Sequence, residues 1–571
     1  MKSKLEKIIK ESLKNLGIEA ETIVLEHPAE IANGDYSTSA ALSHAKVMQS
    51  NPRALAEKIV AEIEKNKPAE IEKIEIAGPG FINFYLSKDF FASQIQAIDS
   101  NNNWGSNALS AGKKVMVEYT DPNPFKPFHI GHLMTNAIGE SVARIFEYSG
   151  AEVVRANYQG DVGLHVAKAI WAMLKNGKGD TTLSVETQAE YIGKCYTEAS
   201  EAYENDENAK AEIDAINKKV YERSDRDINV IYDWGRAVTL EAFETIYKTL
   251  GTKFNPNCYF FESVMAPIGK KIVEENIGKV FTESDGAIVF KAEELDPKLH
   301  TRVFITKQGL PTYETKEIGL TVTKFTQENP DTSIVVTAIE QGPYMEVVQK
   351  ALSLIHPEYE SRMKHVTHGM MRFASGKMSS RKGNVITGES LLSDAYALVY
   401  ERLAERELND EQKKVIAREI GVASIKYAIL KQALGGNIIY DQEKSVSFEG
   451  DSGPYLQYTA VRAQSVLEKA KAFGLSTFNF TLSTSFETTG LERYLYRFPE
   501  VVEHAHEKLE PHHIAQYLLE LASAFNSFYT MGKIVDGSDT TSPYKLALTE
   551  AFVKTMKNGL YLLGIEVPNK M

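Results

Sequence analysis

The sequence predicts a multidomain α/β chain, with a parallel-sheet domain at residues 111–390 between a small N-terminal α+β module at 1–110 and an all-α region at 391–571. Three observations predict it. A chain of 571 residues suits three or four domains better than one. Strand, loop, helix and strand follow one another from Lys114 to Asn157; that is a βαβ unit, which demands a parallel sheet. From about Leu391 the pattern turns almost wholly helical.

In the N-terminal module, Leu5–Leu16 reads as a helix, followed by a turn at Gly34-Asp35-Tyr36. A second helix runs from Arg53 to Lys65, with Leu55, Ile59, Val60 and Ile63 at helical spacing. Ile74–Ile76 and Phe81–Leu86 read as strands joined by Gly78-Pro79-Gly80, and the Asn-rich stretch at Asn101–Asn103 as a linker. Next, Lys114–Tyr119 is a strand and Asp121–Phe128 a Pro-rich loop. The following helix carries Ile130, Leu133, Ala137, Ile138, Val142, Ile145 and Phe146, and Gly150 is placed to cap it. Val153–Asn157 is the next strand. A second strand–helix–strand set follows at Ser333–Ala338, Gly342–His356 and His365–Met370. Residues 176–297 between the two sets are long and polar, helical around Ser200–Ile231, and read as an insertion.

Composition narrows the class. Hydrophobic residues make up 43% and charged residues 25%, the profile of a soluble globular protein. No run reaches the 18 or so apolar residues of a membrane span. Met1–Leu16 carries Glu6 and Glu11 and has no apolar centre, unlike an export or transit signal. Cys195 and Cys258 alone cannot make a four-ligand zinc site, so no dedicated metal site is expected and a reducing cytoplasm is the expected compartment. The net charge of −13 disfavours general nucleic-acid coating, though not a grip on one structured RNA through local basic patches.

Two segments carry chemistry. Asn123-Pro124-Phe125-Lys126-Pro127-Phe128-His129-Ile130-Gly131-His132 places two histidines around a glycine at a helix start, directly after the first strand of the sheet. Free N–H groups and the helix dipole favour phosphate there, histidine can donate to phosphate oxygens, and Gly131 lets a flat base approach the backbone. Gly376-Lys377-Met378-Ser379-Ser380-Arg381-Lys382-Gly383-Asn384 follows the last predicted strand, and cations on such a small-residue loop can stabilise a leaving pyrophosphate.

Together the two segments resemble the paired signatures of class I aminoacyl-tRNA synthetases. Local matches resemble the arginyl-tRNA synthetase family in particular. They include the Asn123–His132 segment, Gly160-Asp161-Val162-Gly163, Tyr313-Glu314-Thr315-Lys316-Glu317, Gly453-Pro454-Tyr455-Leu456-Gln457-Tyr458 and Gly559-Leu560-Tyr561-Leu562-Leu563-Gly564-Ile565. Ala77-Gly78-Pro79-Gly80-Phe81-Ile82-Asn83-Phe84 resembles the family's extra N-terminal domain. The resemblance implies a Rossmann-like catalytic domain, an N-terminal domain that reads the tRNA D-loop, and a helical anticodon-binding domain. It implies ATP with Mg²⁺, L-arginine and tRNA(Arg) as partners, and a monomer.

Roles follow by resemblance. His129 and His132 are expected on ATP phosphates, with Gly131 beneath the adenine. Met370 either packs on that adenine or belongs to the core. Lys377 matches the first lysine of the mobile loop. Ser380 stands where a second lysine is usual, next to Arg381, and Lys126, just before the histidines, is expected to take over part of that work. Tyr313 and Glu317, one helical turn apart, are expected to face one cavity and read the guanidinium, with Glu317 in place of the family's usual Asp. Asn123 and Gln341 are expected on the amino acid's polar groups and Glu118 on its ammonium. Asp121 stands where Ser is more usual. For tRNA the candidates are Phe81 and Asn83 on a D-loop base, and Tyr455, Tyr458, Asn526 and Tyr529 at the anticodon loop, with Tyr458 and Tyr529 equally suited to packing. A class I enzyme for another amino acid and a non-catalytic tRNA-binding paralogue are the rival readings. The first is disfavoured by the cysteine count and lack of a large editing insert, the second by the presence of His129, His132 and Lys377.

Overall fold

The computed structural model describes residues 1–374, 387–475 and 487–571. Two compact units emerge. One combines Met1–Gly105 with Thr459–Val502 and Tyr517–Asn558; the other combines Ser106–Tyr458 with Glu503–Gln516 and Gly559–Met571. The N-terminal module therefore shares a unit with much of the C-terminal helical region. The buried Tyr496 ring completes the module's core of Leu5, Ile9, Ile59 and Phe84, and Arg493 is ion-paired to the fully buried Asp35. In that module the strand Phe81–Leu86 lies between Tyr36–Thr38 and Ile71–Ala77 in an antiparallel sheet. Ile82, Phe84 and Leu86 face the core, so Phe81 and Asn83 share the opposite face.

The second unit holds the parallel sheet, ordered Met363–His368, Thr332–Ala338, Lys114–Glu118, Glu152–Gln159, Tyr259–Phe261. The first of these five strands along the chain, Lys114–Glu118, is thus central. The chain winds outward to one side through Glu152–Gln159 and Tyr259–Phe261, then crosses back to build the other side. In such a sheet the crevice beyond the carboxyl ends of the two strands where winding reverses is the ligand site. Here those ends are Glu118 and Ala338. The edge strand Tyr259–Phe261 falls inside the expected insertion, which is therefore not one block. The helices Val185–Asn205, Glu207–Glu222 and Arg226–Thr249 stand outside the sheet on one side of that strand in sequence. On the other side, Thr282–Ser284, Ala287–Phe290 and Arg302–Ile305 form a separate antiparallel leaf. Among the described residues, no helix is long and apolar enough to cross a membrane.

Candidate active site

The loop that leaves the central strand is strained and over-determined. Thr120, Asp121 and Phe125 all have positive φ (78°, 45° and 69°), a conformation that typically costs about 1–3 kcal/mol per non-glycine residue. Buried packing holds it: Phe125 is wholly covered, and the Thr120 hydroxyl accepts from Asn136 Nδ2 at 3.0 Å. The loop delivers His129 to the N-cap of the helix Ile130–Tyr148. His129 Nδ1 accepts from the His132 backbone N–H (3.4 Å), and His132 Nδ1 accepts from the His129 N–H (3.3 Å). The two rings stack with centroids 3.4 Å apart.

This reciprocal cap has a chemical consequence. A nitrogen that accepts a backbone N–H carries no proton, so each neutral imidazole keeps its proton on Nε2. Burial lowers the pKa of both, that of His129 to about 4, helped by the nearby Lys126 ammonium; that of His132 falls well below its ordinary value, helped by His129 and Lys126. Both are therefore neutral Nε2–H donors at physiological pH. Gly131 is needed beneath them, because a Cβ there would stand 2.9 Å from His129 Cε1. Burial and neighbouring Lys168 also lower the pKa of Lys126, whose ammonium lies 5.4 Å from the Tyr196 ring centroid. The structure thus brings Lys126, His129 and His132 together.

Lys377 and Arg381, with Ser380, lie outside the described residues. The chain resumes beside the histidines: Thr387 is bridged to His129, and the Gly388 N–H donates to Phe128 O at 2.7 Å. Met370 follows the outer strand, is 42% exposed, and so is not core; its N–H donates to Asn437 Oδ1.

Across the switch point lies a buried acidic nest. Lys324 Nζ bonds Glu118 Oε2 at 2.8 Å, with both side chains almost wholly covered, so the Glu118 charge is already matched. Lys316 is paired likewise with Glu262 at 3.2 Å. Glu317 is 5% exposed, and its Oε1 is buried with no partner. Burial first, and the Glu118 charge second, push its pKa up to about 7. Tyr313 opens the same helix but is 70% exposed, with Lys316 Nζ 5.0 Å from its ring centroid. One turn of helix therefore separates an exposed Tyr313 from a buried Glu317. Asn123 packs against Gly160, where a Cβ would fall 2.3 Å from Asn123 Oδ1. Gln341 ends the short turn after Thr332–Ala338, exposed, at the other side of the crevice.

Sequence reading assigned no task to Asp161, which is fully buried and gathers donors from four groups. They are the Ser263 N–H (2.9 Å) and hydroxyl (2.8 Å), the Tyr232 hydroxyl (3.1 Å) and Arg236 Nε (2.9 Å). It ties the helices Arg226–Thr249 and Glu262–Glu275 to the end of Glu152–Gln159. Among the described residues one cluster has metal-ligating types in range, Glu510, His512 and His513, where the Glu510 carboxylate bonds His513 at 3.0 Å.

The RNA candidates divide. Phe81 stands 41% exposed. Asn83 is buried, with its Oδ1 taken by the Ser37 hydroxyl at 2.7 Å, so it is the less open of the two D-loop candidates. Tyr455 and Tyr458 belong to one compact unit, Asn526 and Tyr529 to the other. Tyr458 packs edge-on to Phe448. Asn526 and Tyr529 are joined by Arg462, a residue the sequence reading missed; it donates to Asn526 Oδ1 at 2.6 Å and lies 4.3 Å from the Tyr529 ring centroid.

Comparison with known proteins agrees with this geometry. The model of the class I (R) tRNA synthetase catalytic domain matches residues 94–442, that of the arginyl-tRNA synthetase N-terminal domain residues 3–86, and that of the DALR anticodon-binding domain residues 456–571. An arginine–tRNA ligase of Clostridium perfringens is 31% identical over 573 residues, with 99% of each chain covered. One of Fusobacterium nucleatum is 33% identical over 555 residues, covering 94% of this chain and 93% of its own. The solved arginyl-tRNA synthetases of Thermus thermophilus (TM-score 0.80, 23% identity, all of both chains) and Plasmodium falciparum (TM-score 0.78, 21% identity, 100% and 99%) share its fold. With all three domain models in order and relatives matched along their full length, the chain belongs to the arginyl-tRNA synthetase family.

Proposed function

We propose that the crevice at the switch point is the adenylate-forming site of an arginine–tRNA ligase. The observation that carries this is the pairing of two donor imidazoles, neutral and fixed in one tautomer, with a buried acidic nest at the end of the same strand. ATP phosphates at the helix entrance receive the Nε2–H groups of His129 and His132, the Lys126 ammonium and the Ile130–Tyr148 dipole. Gly131 and Met370 flank the adenine; Lys377 and Arg381 act on the pyrophosphate. Mg²⁺ arrives with ATP rather than on dedicated protein ligands. Arginine places its guanidinium at Glu317 beneath Tyr313, and Asn123 and Gln341 hold its polar groups. Glu118, already matched by Lys324, contributes to its ammonium through field more than through a free oxygen.

The arginine carboxylate attacks the α-phosphorus, the bond to the bridging oxygen breaks, and pyrophosphate leaves. The terminal ribose hydroxyl of tRNA(Arg) then takes the arginyl group and AMP leaves. The protein supplies position and electrostatics, with no covalent nucleophile. Phe81 stacks on a D-loop base, and Tyr455, Tyr458, Asn526 and Tyr529 serve the anticodon loop. A monomer in the cytoplasm suffices for this scheme. Charging of total tRNA with each of the twenty radiolabelled amino acids tests it: arginine alone is expected to be transferred, and transfer of another amino acid, or of none, refutes it.

A further inference from the structure

The turn between the helices Phe498–Lys508 and His512–Thr530 gathers three side chains with no part in the chemistry above. Leu509 takes a left-handed conformation (φ 59°), and the Glu510 N–H donates back to Ala505 O at 3.1 Å, so the chain reverses tightly into the buried Pro511. Glu510 in the turn then meets His512 and His513 from the first turn of the next helix. One carboxylate oxygen, Glu510 Oε2, lies 3.0 Å from His513 Nε2 and 3.9 Å from His512 Nδ1. The two imidazole centroids are 4.0 Å apart, and one nitrogen or oxygen from each of the three side chains falls within 4.8 Å of the others. Four ligands at about 2.1 Å from a zinc ion stand about 3.4 Å from one another, so these three atoms need only small shifts to share one ion. An ion pair between His513 and Glu510 explains two of the groups and leaves the third. His512 Nδ1 is buried with no hydrogen-bond partner, a costly state for a polar nitrogen, and its lone pair is free for a cation held at the carboxylate. His504, on the preceding helix, packs edge to face on His513 with centroids 4.4 Å apart and steadies that ring. The Glu510 carboxylate offsets the positive end of the helix His512–Thr530, which by itself repels a cation.

We propose that Glu510, His512 and His513 form a site for a divalent transition-metal ion of the zinc class, with water completing four-coordination. Two imidazoles and a carboxylate suit zinc, whereas magnesium and calcium take sets of oxygens. The segment that carries the site docks on the end of the helix Ile130–Tyr148. There His506 packs on Phe146 with ring centroids 4.5 Å apart, and its Nε2 is bonded to the Ser110 hydroxyl at 2.7 Å. That helix has 19 residues and is about 28 Å long, which sets the metal near the opposite end from His129 and His132. The ion therefore fastens the turn to the helix that follows it and takes no part in adenylate formation.

Untagged full-length protein, freed of metal with a chelator and dialysed, is titrated with zinc chloride alone by calorimetry and with cobalt chloride by visible absorption. One ion per chain is expected to bind, cobalt should show the intense bands of tetrahedral coordination, and the unfolding midpoint should rise with free zinc. His512→Ala and Glu510→Gln should each weaken zinc binding by about a hundredfold or more and abolish the cobalt bands. Glu510→Gln keeps the size and shape of the side chain in the turn, so its result decides the matter even where His512→Ala fails to fold. Absence of stoichiometric zinc binding in the parent overturns the site. Parental zinc affinity in either variant overturns it too, since the ion then sits elsewhere on the chain.

Discussion

Replacing His132 separates the two tasks that the reciprocal cap assigns to one imidazole. Its Nδ1 accepts the His129 N–H at the helix entrance, and its Nε2–H is the proposed donor to phosphate. His132→Ala loses both. Loss of the donor is expected to slow arginine-dependent ATP–pyrophosphate exchange, measured with tRNA present, by roughly 10²–10³, or about 2.7–4 kcal/mol of transition-state stabilisation. Loss of its half of the cap, the hydrogen bond from the His129 N–H, is expected to cost about 0.5–1.5 kcal/mol of stability, read by thermal or denaturant unfolding. His132→Glu isolates the chemistry, since a carboxylate at the third helical position restores the reciprocal cap through an oxygen and has no N–H to donate. It should therefore keep near-parental stability and share the loss of rate. A parental exchange rate in His132→Glu would show that the histidine is only a cap, and the tautomer argument would fall with it. Because the folded imidazoles resist protonation, their contribution to stability is lost as pH falls below about 6.5, where the unfolded chain takes up protons that the folded one refuses.

Gly131→Ala pushes a methyl group against His129 Cε1, so exchange should fall at least tenfold while the circular dichroism spectrum is retained; parental exchange would remove the proposed need for glycine. Glu317→Gln removes the charge at the pocket floor and should raise the KM for arginine at least tenfold with little change in the KM for ATP; equal effects on both would place Glu317 outside the arginine pocket. Asp161→Asn weakens charge-assisted bonds and should cost about 1.5–3 kcal/mol in denaturant unfolding, and an unchanged midpoint would contradict its role as a tie. Lys426 is buried and donates to the Leu250 and Gly564 carbonyls, and burial lowers its pKa to about 7. The unfolded lysine holds a proton that the folded one sheds between about pH 7 and 10, so stability should rise with pH over that window. Lys426→Met should reduce that slope relative to the parent, and an unaltered slope refutes the shift.

Periodicity made the sheet legible. Lys114–Glu118, Glu152–Gln159, Thr332–Ala338 and Met363–His368 lie within a few residues of where alternation and apolar runs put them. Tyr259–Phe261 escaped because three residues carry no period, and the antiparallel leaf because its strands are just as short. The histidine motif was legible as composition, but its reciprocal cap is a matter of ring orientation. The acidic nest was only half legible. Glu118 and Glu317 stood in recognisable motifs, whereas Lys324 reaches Glu118 through packing between elements far apart in the chain. The burial of Asn83 and the exposure of Tyr313 were not legible for the same reason, since residue type and spacing do not tell how much a neighbouring strand or loop covers.

The strained run after the central strand carries a broader consequence. Glu118, Asp121, Asn123, Lys126 and His129 hang from one short stretch whose left-handed turns at Thr120, Asp121 and Phe125 leave it little freedom. On the proposed assignment it acts as a ruler with the amino acid at one end and the nucleotide at the other, so the gap between reacting carboxylate and phosphorus is set by covalent chain rather than by docking of separate parts. Exchanging side chains along that ruler leaves its graduation intact. Adding or deleting one residue between Asn123 and His129 would shift one anchor against the other and lose the registration on which in-line attack depends.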